Sequence, residues 1–318
     1  MKRLTISFAL IIPFLLSGSW GFFAHQRINY LAIFTLPPGM IIFYKKNNKY
    51  IAEHAVDPDK RRYIDTLEAP MHYLDVENYE LNIDSIPEKY ADALAKYGQQ
   101  KLNESGIVPW QIQRTYYSLV NAFKSHDSLK ILKHSAELGH YIGDAHVPLH
   151  TTNNHNGQLT NQHGIHAFWE SRIPELFSNN YNFLVGKVAY IDNPLKSAWQ
   201  MVKHAHQLLD SVLILEAKLN ATFPSDQKYS YTERNNVILK QYSITYSKAY
   251  QDQMNGMVEK QMRAAILATG SFWFSAWVDA GQPTLKNLVK VIPDLSEKKY
   301  SELIDQKYQG GKIIGREN

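Results

Sequence analysis

The sequence predicts a mainly α protein built as a single domain. Apolar residues recur at i, i+3, i+4 spacing over long stretches, the mark of helices with one buried face. Alternating apolar and polar runs, which would mark strands, are scarce. The 318 residues are 44% hydrophobic and 20% charged, enough for a substantial core and too apolar for a disordered chain.

The N-terminal segment stands apart. Lys2 and Arg3 precede an apolar run from Leu4 to Leu16, and Ser17-Gly18-Ser19 follows. That order predicts an export signal cut before Trp20, with an uncleaved anchor as the alternative. The run is too short for a comfortable bilayer span. Residues 21–36 then read as a helix with apolar Ile28, Leu31, Ala32 and Phe34, stopped by "TLPPGM". Residues 38–54 read as a second helix with the lysine-rich surface "YKKNNK", and residues 55–84, with Pro58 and Pro70, as loop. Helical periodicity runs through residues 110–145 by way of Ile112, Tyr116, Leu119, Val120, Phe123, Leu129, Leu132, Ala136 and His140. "TTNNHNGQLTNQHG" (151–164) is a polar loop, and 165–177 a short helix. Helices are expected over 195–221, 232–268 and 270–280, with a frayed tail at "GGKIIGREN". The expected organisation is a signal over 1–19, one globular domain over 20–285, and a helical extension with a flexible tail over 286–318.

Lys and Arg total 34 against 30 Asp and Glu, a net charge of +4. Removing Lys2 and Arg3 leaves 32 against 30, so the remaining chain carries no strong basic track for a nucleic-acid backbone. Cysteine is absent. An exported chain without disulfides must be held by its core, and bound metal can add to it.

"HYIGDAHVPLH" (140–150) raises the chemistry. His140 and Asp144 are four apart and share a helix face, while His150 follows Pro148, which should end the helix. "HAFWE" repeats the spacing with His166 and Glu170. Upstream, "DPDK" offers Asp57 and Asp59, "HYLD" offers His72 and Asp75, and "WGFFAH" offers His25 and, once a signal is cut, the free amine of Trp20. Histidine with carboxylate is the natural zinc set when thiolate is missing. One helical His-x-x-x-Asp pair is more often a hydrogen-bonded surface pair, but this many in one chain point to a metal site.

The order Trp20–His25, Asp57–His72, His140–Asp144–His150 and His166–Glu170 resembles the superfamily of zinc-dependent phospholipase C and the fungal single-strand nucleases. Its strongest motif has the form His-x-x-Gly-Asp-x-His-x-Pro-Leu-His, and the likeness runs from Trp20 to Phe177. The resemblance implies a single-domain, multi-helix phospholipase C/nuclease-like fold over the globular domain and three zinc ions. One would take Asp57, His72, His140 and Asp144. A second would take Trp20, through its amino nitrogen and carbonyl oxygen, with His25 and the bridging Asp144. The third would take His150, His166 and Glu170. Asp57 is a secondary expectation as proton acceptor for the attacking water. The reaction implied is hydrolysis of phosphate esters by metal-activated water.

The remaining histidines carry less. His146 is expected either behind the ligand residues or packing at the helix end, and His155 and His163 to be solvated beside the site, with contact to substrate as their alternative. Tyr73 and Asp75 either meet substrate or orient a ligand histidine, Lys60 and Arg61 are read as exposed charges that could meet a phosphate, and Asn161 and Gln162 either bind substrate or cap the next helix. "FWFSAW" (272–277) reads as core. Glu170 and the short 150–166 loop lean toward a phospholipid headgroup as substrate. The Trp20–His25 and Asp57–His72 spacings lean toward single-stranded nucleic acid. The reading is therefore a zinc-dependent phosphoester hydrolase, leaning to phospholipase C, with single-strand nuclease as the alternative and a non-catalytic zinc-binding scaffold as the third. No obligate protein partner is expected, and the chain reads as a monomer.

Overall fold

The computed structural model describes residues 22–234, 237–286, 288, 295–310 and 313. Helices dominate, as the periodicity predicts, in a single domain with one small sheet among the described residues. The first stretch holds α1 (Phe22–Ala32), α2 (Pro38–Lys46), α3 (Asn48–Glu53) and the short α4 (Asp57–Arg61). The stretch expected as loop thus contains α4, and also α5 (Val76–Tyr79) and a 3-10 turn, Ala69–His72. Helix α6 (Tyr90–Ser105) follows.

The long periodicity of 110–145 resolves into two helices, α7 (Val108–Lys124) and α8 (Ser128–Asp144). Two local features break it: His126 takes a left-handed φ of 54°, and the Asp127 carboxylate caps α8 by accepting from the Lys130 amide at 3.0 Å. Periodicity continues across the break because both helices bury the same kind of face. Between residues 165 and 177 lie α9 (Ile165–Ala167), a π-turn at Phe168–Arg172 and α10 (Ile173–Phe177). Asn193 caps α11 (Pro194–Thr222), accepting from Lys196 N at 3.0 Å.

The expected helix over 232–268 is a correction. Its start is a hairpin, β1 (Tyr229–Arg234) paired antiparallel with β2 (Val237–Tyr242), followed by α12 (Ile244–Gln253) and α13 (Met257–Asp279). Tyr, Thr, Val and Ile favour strands, and an Asn235-Asn236 pair is turn chemistry, signals that a helical reading of the wider window overrides. The residues flanking the hairpin are tied to the buried Glu216 of α11, which accepts from Tyr246 Oη at 2.6 Å and Lys228 Nζ at 3.2 Å. The last helix, α14 (Leu295–Gly310), packs on α4. Lys60 Nζ meets Asp305 at 2.8 Å, Tyr308 lies 5.3 Å from the Phe22 ring, and Ile304 is buried.

Two apolar clusters hold the fold. One gathers Tyr44, Tyr116, Phe123, Trp199, Phe272 and Trp273 around α7, α8 and α13. The other joins Phe168, Val212, Tyr242, Tyr246, Tyr250 and Ile266. Trp273 stacks on Tyr44 at 5.0 Å and donates to Ser135 O at 2.9 Å, so "FWFSAW" is core as read. No described helix is long and apolar enough to cross a membrane.

Helix α8 runs through the interior, and α1 lies against it at two glycines. A methyl on Gly139 would overlap Asn29 Oδ1, and one on Gly143 would stand 2.8 Å from His25 Nδ1. These two missing side chains let the helix carrying His25 approach the helix carrying His140 and Asp144. That close approach builds the site.

Candidate metal centre

Five histidines and three carboxylates converge in three groups, two of which share His140: Asp59 with His72 and His140, His25 with His140 and Asp144, and His150 with His166 and Glu170. They come from seven elements. Helix α1 supplies His25, α4 supplies Asp59, and the 3-10 turn before Tyr73 supplies His72. Helix α8 supplies His140 and Asp144, and the turn begun by Pro148 supplies His150. His166 comes from α9 and Glu170 from the π-turn after it. All but Asp59 are buried, and the Asp59 side chain is 14% exposed.

In the first group His72 Nδ1 stands 3.0 Å from Asp144 Oδ2 and 3.0 Å from His140 Nε2. Asp59 Oδ1 is 3.7 Å from His72 Nδ1 and 3.8 Å from His140 Nε2. The two oxygens of Asp144 face different partners: Oδ2 faces His72 and His140, and Oδ1 lies 3.4 Å from His25 Nε2. Glu170 is split the same way. Its Oε1 is 3.2 Å from His25 Nε2, and its Oε2 is 2.7 Å from His166 Nε2 and 3.5 Å from His150 Nε2.

The donor chemistry fits a metal ion. His140 Nδ1 donates to Ala55 O at 2.9 Å, and His150 Nδ1 donates to His72 O at 2.8 Å. A neutral imidazole so held turns the bare lone pair of Nε2 inward, the orientation a metal-binding histidine needs. Yet His150 Nε2 then faces His166 Nε2 at 2.9 Å, and His140 Nε2 faces His72 Nδ1 at 3.0 Å. A cation between such donors reconciles contacts that lone pairs alone would resist. Imidazole with carboxylate and no thiolate is a zinc set.

Charge follows the same logic. Burial alone would push the Asp144 and Glu170 carboxyls up, but His140 and His150 around Asp144, and His150 and His166 around Glu170, hold both well below the usual carboxylate range. Burial alone would favour neutral His25, but Asp144 and Glu170 outweigh it and raise its pKa well above the ordinary value. His72, beside Asp144 and Glu68, is raised against its burial to about 9. The pocket thus keeps its carboxylates ionised and draws positive charge.

The structure brings together His25, His72, His140, Asp144, His150, His166 and Glu170. It does not bring Asp57 to them. The Asp57 carboxylate pairs with His54 Nδ1 at 2.6 Å and lies 3.9 Å from Lys60 Nζ, while Asp59 faces the centre. Residues two apart on a helix point about 200° apart, so only one of the two can face inward. Trp20 lies outside the described residues. Lys60 and Arg61 are not exposed phosphate contacts: Lys60 pairs with Asp305, and Arg61 with Glu68 and Glu137. Gln162 is structural, donating to Glu216 Oε2 at 2.7 Å and Leu213 O at 2.9 Å. His146 packs at the helix end, with Nδ1 donating to Ile142 O at 2.7 Å, and burial lowers its pKa to about 4. His155 approaches closer than expected, its ring 6.2 Å from that of His166. Sequence reasoning missed Glu68 and Arg62. The Glu68-x-x-x-His72 spacing was a signal for the first, and Arg62, buried and 3.9 Å from Asp59 Oδ1, had none.

A mainly α fold that converges imidazoles and carboxylates on one buried point forms a candidate metal centre. The family model described as S1/P1 Nuclease matches residues 20–268, and the chain belongs to that family. Nuclease S1 of Aspergillus oryzae is 25% identical over 203 residues, a stretch covering 58% of this chain and 65% of that protein, just under two thirds of its length.

Proposed function

We propose that the chain is a zinc-dependent phosphodiesterase acting on single-stranded nucleic acid. The observation that carries this is the convergence of five imidazoles and three carboxylates in a chain of the S1/P1 nuclease family. That family match supports the nuclease alternative over the phospholipid headgroup toward which Glu170 and the 150–166 loop lean.

In this reading Asp59, His72, His140 and Asp144 hold one zinc. His25 and Asp144 hold a second, with the amine and carbonyl of Trp20 completing it. His150, His166 and Glu170 hold a third. Bound zinc would acidify water toward neutral pH and offset charge developing on phosphate oxygens. The protein's own part is orientation. Ala55 O and His72 O fix the tautomers of His140 and His150. Asp144 and Glu170, each with its two oxygens facing different histidines, tie the three groups together. Arg62 adds a fixed positive charge beside Asp59. No side-chain nucleophile would be needed, because water would add to phosphorus as the P–O bond to the leaving oxygen breaks and that oxygen takes up a proton. Export is part of the same proposal, supported by Lys2, Arg3 and the apolar run after them.

The test is a chain beginning at Trp20, assayed for zinc by mass spectrometry and for turnover of single-stranded DNA, RNA, duplex DNA, phosphatidylcholine and bis(p-nitrophenyl) phosphate. Zinc with preferred cleavage of single strands is expected. Hydrolysis of phosphatidylcholine alone would return the phospholipase reading, and zinc without turnover of any phosphoester would leave a scaffold.

A further inference from the structure

The geometry points to Glu68 as a positioning residue, and we propose that it sets which nitrogen His72 offers to the metal centre. The inference rests on the metal reading proposed above. Glu68 is buried, and its Oε1 stands 3.4 Å from His72 Nε2. The opposite ring nitrogen, Nδ1, is the one that faces Asp144 and His140. His72 is thus turned the other way from His140 and His150, whose Nδ1 atoms rest on backbone carbonyls and whose Nε2 atoms face inward. A neutral imidazole carries one ring proton. A carboxylate 3.4 Å from Nε2, an ion-pair contact and not a formed hydrogen bond, makes that nitrogen the favoured seat of the proton and leaves the Nδ1 lone pair for the centre.

The surroundings of Glu68 keep it ionised and in place. Tyr141 Oη donates to Oε1 at 2.5 Å, and Arg61 donates through Nε to Oε2 at 2.8 Å. Each partner is chained to a metal-binding segment. Arg61 lies on α4 two residues after Asp59, Glu68 precedes His72 by one helical turn, and Tyr141 follows His140 on α8. One buried carboxylate therefore cross-links the three segments that converge on the first group of donors. Arg61 also donates through Nη1 to Glu137 Oε1 at 2.8 Å, while Nε and Nη2 serve Glu68, and only Glu68 is paired with His72. That arrangement gives a matched control: two acids share Arg61, and one of them meets a donor of the centre.

The experiment compares Glu68→Gln with Glu137→Gln in the full mature chain. Each is loaded with zinc and dialysed against graded chelator, and the visible spectrum of each is recorded after loading with cobalt(II). Loss of an outer partner of a ligating histidine typically weakens metal binding by about 10–100-fold. Glu68→Gln should therefore lose its first metal at roughly 10–100-fold lower chelator and show an altered cobalt spectrum. Glu137→Gln should keep the wild-type chelator profile and spectrum even if it melts earlier. Equal behaviour of the two variants, or a wild-type profile for Glu68→Gln, overturns the assignment. If Glu68→Gln does not fold, Tyr141→Phe removes one hydrogen bond from the same carboxylate and should shift the profile in the same direction; no shift overturns the assignment. A wild-type chain that holds no zinc overturns the metal reading itself, and this inference with it.

Discussion

Gly143→Ala tests the close approach on which the centre depends. A β-carbon there would stand 2.8 Å from His25 Nδ1 and 3.0 Å from Cε1, against the ~3.5–4.0 Å of an ordinary carbon contact. The two groups must separate by roughly 0.5–1 Å. His25 is buried on α1, and its ring is stacked 4.1 Å from His140, so it cannot swing aside without leaving Asp144 and Glu170. Overpacking of a buried contact costs about 1–3 kcal/mol. For a chain of this size that lowers the melting temperature by roughly 2–10 °C. The effect on metal should exceed the effect on folding, because a ligand displaced by about 1 Å leaves productive geometry. Zinc analysis, thermal melting and turnover, measured on one preparation, provide the assay. Lower zinc content with turnover reduced at least about tenfold is expected. A Gly143→Ala chain with wild-type zinc, melting temperature and turnover would refute the argument that the glycine exists to admit His25.

Asp59→Asn should lose zinc and activity, whereas Asp57→Asn, which disturbs only the pairing with His54 and Lys60, should keep its zinc; the reverse result would restore Asp57 to the centre. In metal-free protein, Glu68 is held down to about 2 against its burial by His72 and Arg61. A depressed carboxyl stabilises fully above its unfolded value near 4.5, and the contribution fades as pH falls from there toward 2. Urea titrations should therefore show Glu68→Gln losing on the order of 3 kcal/mol near pH 6 and progressively less toward pH 2; a gap independent of pH would contradict this. If, as proposed, the chain is cut before Trp20, one added residue would convert its amine to an amide that cannot donate its lone pair, so zinc content and turnover should both fall; normal zinc binding by such an extended chain would remove Trp20 from the proposed ligand set.

Much of the site was written locally. His140 with Asp144 and His166 with Glu170 are adjacent on their own helical turns, a relation set by a period of 3.6 residues before any packing occurs. The predominance of helix followed from the same periodicity. What the periodicity could not carry were choices made between segments. Asp57 and Asp59 are equivalent as letters, and only the orientation of α4 against α8 decides that Asp59 faces inward. Glu68 looks like one more surface acid until Arg61 and Tyr141 close around it. The residues on either side of the hairpin at 229–242 are tied to Glu216, buried on α11, and the break between α7 and α8 turns on one left-handed residue, His126. His25 reaches His140 and Asp144 because Gly139 and Gly143 let α1 and α8 touch more closely than any side chain would allow. Helical period and capping act over a few residues and can be read along the chain, whereas convergence of charge is a property of how buried faces pack.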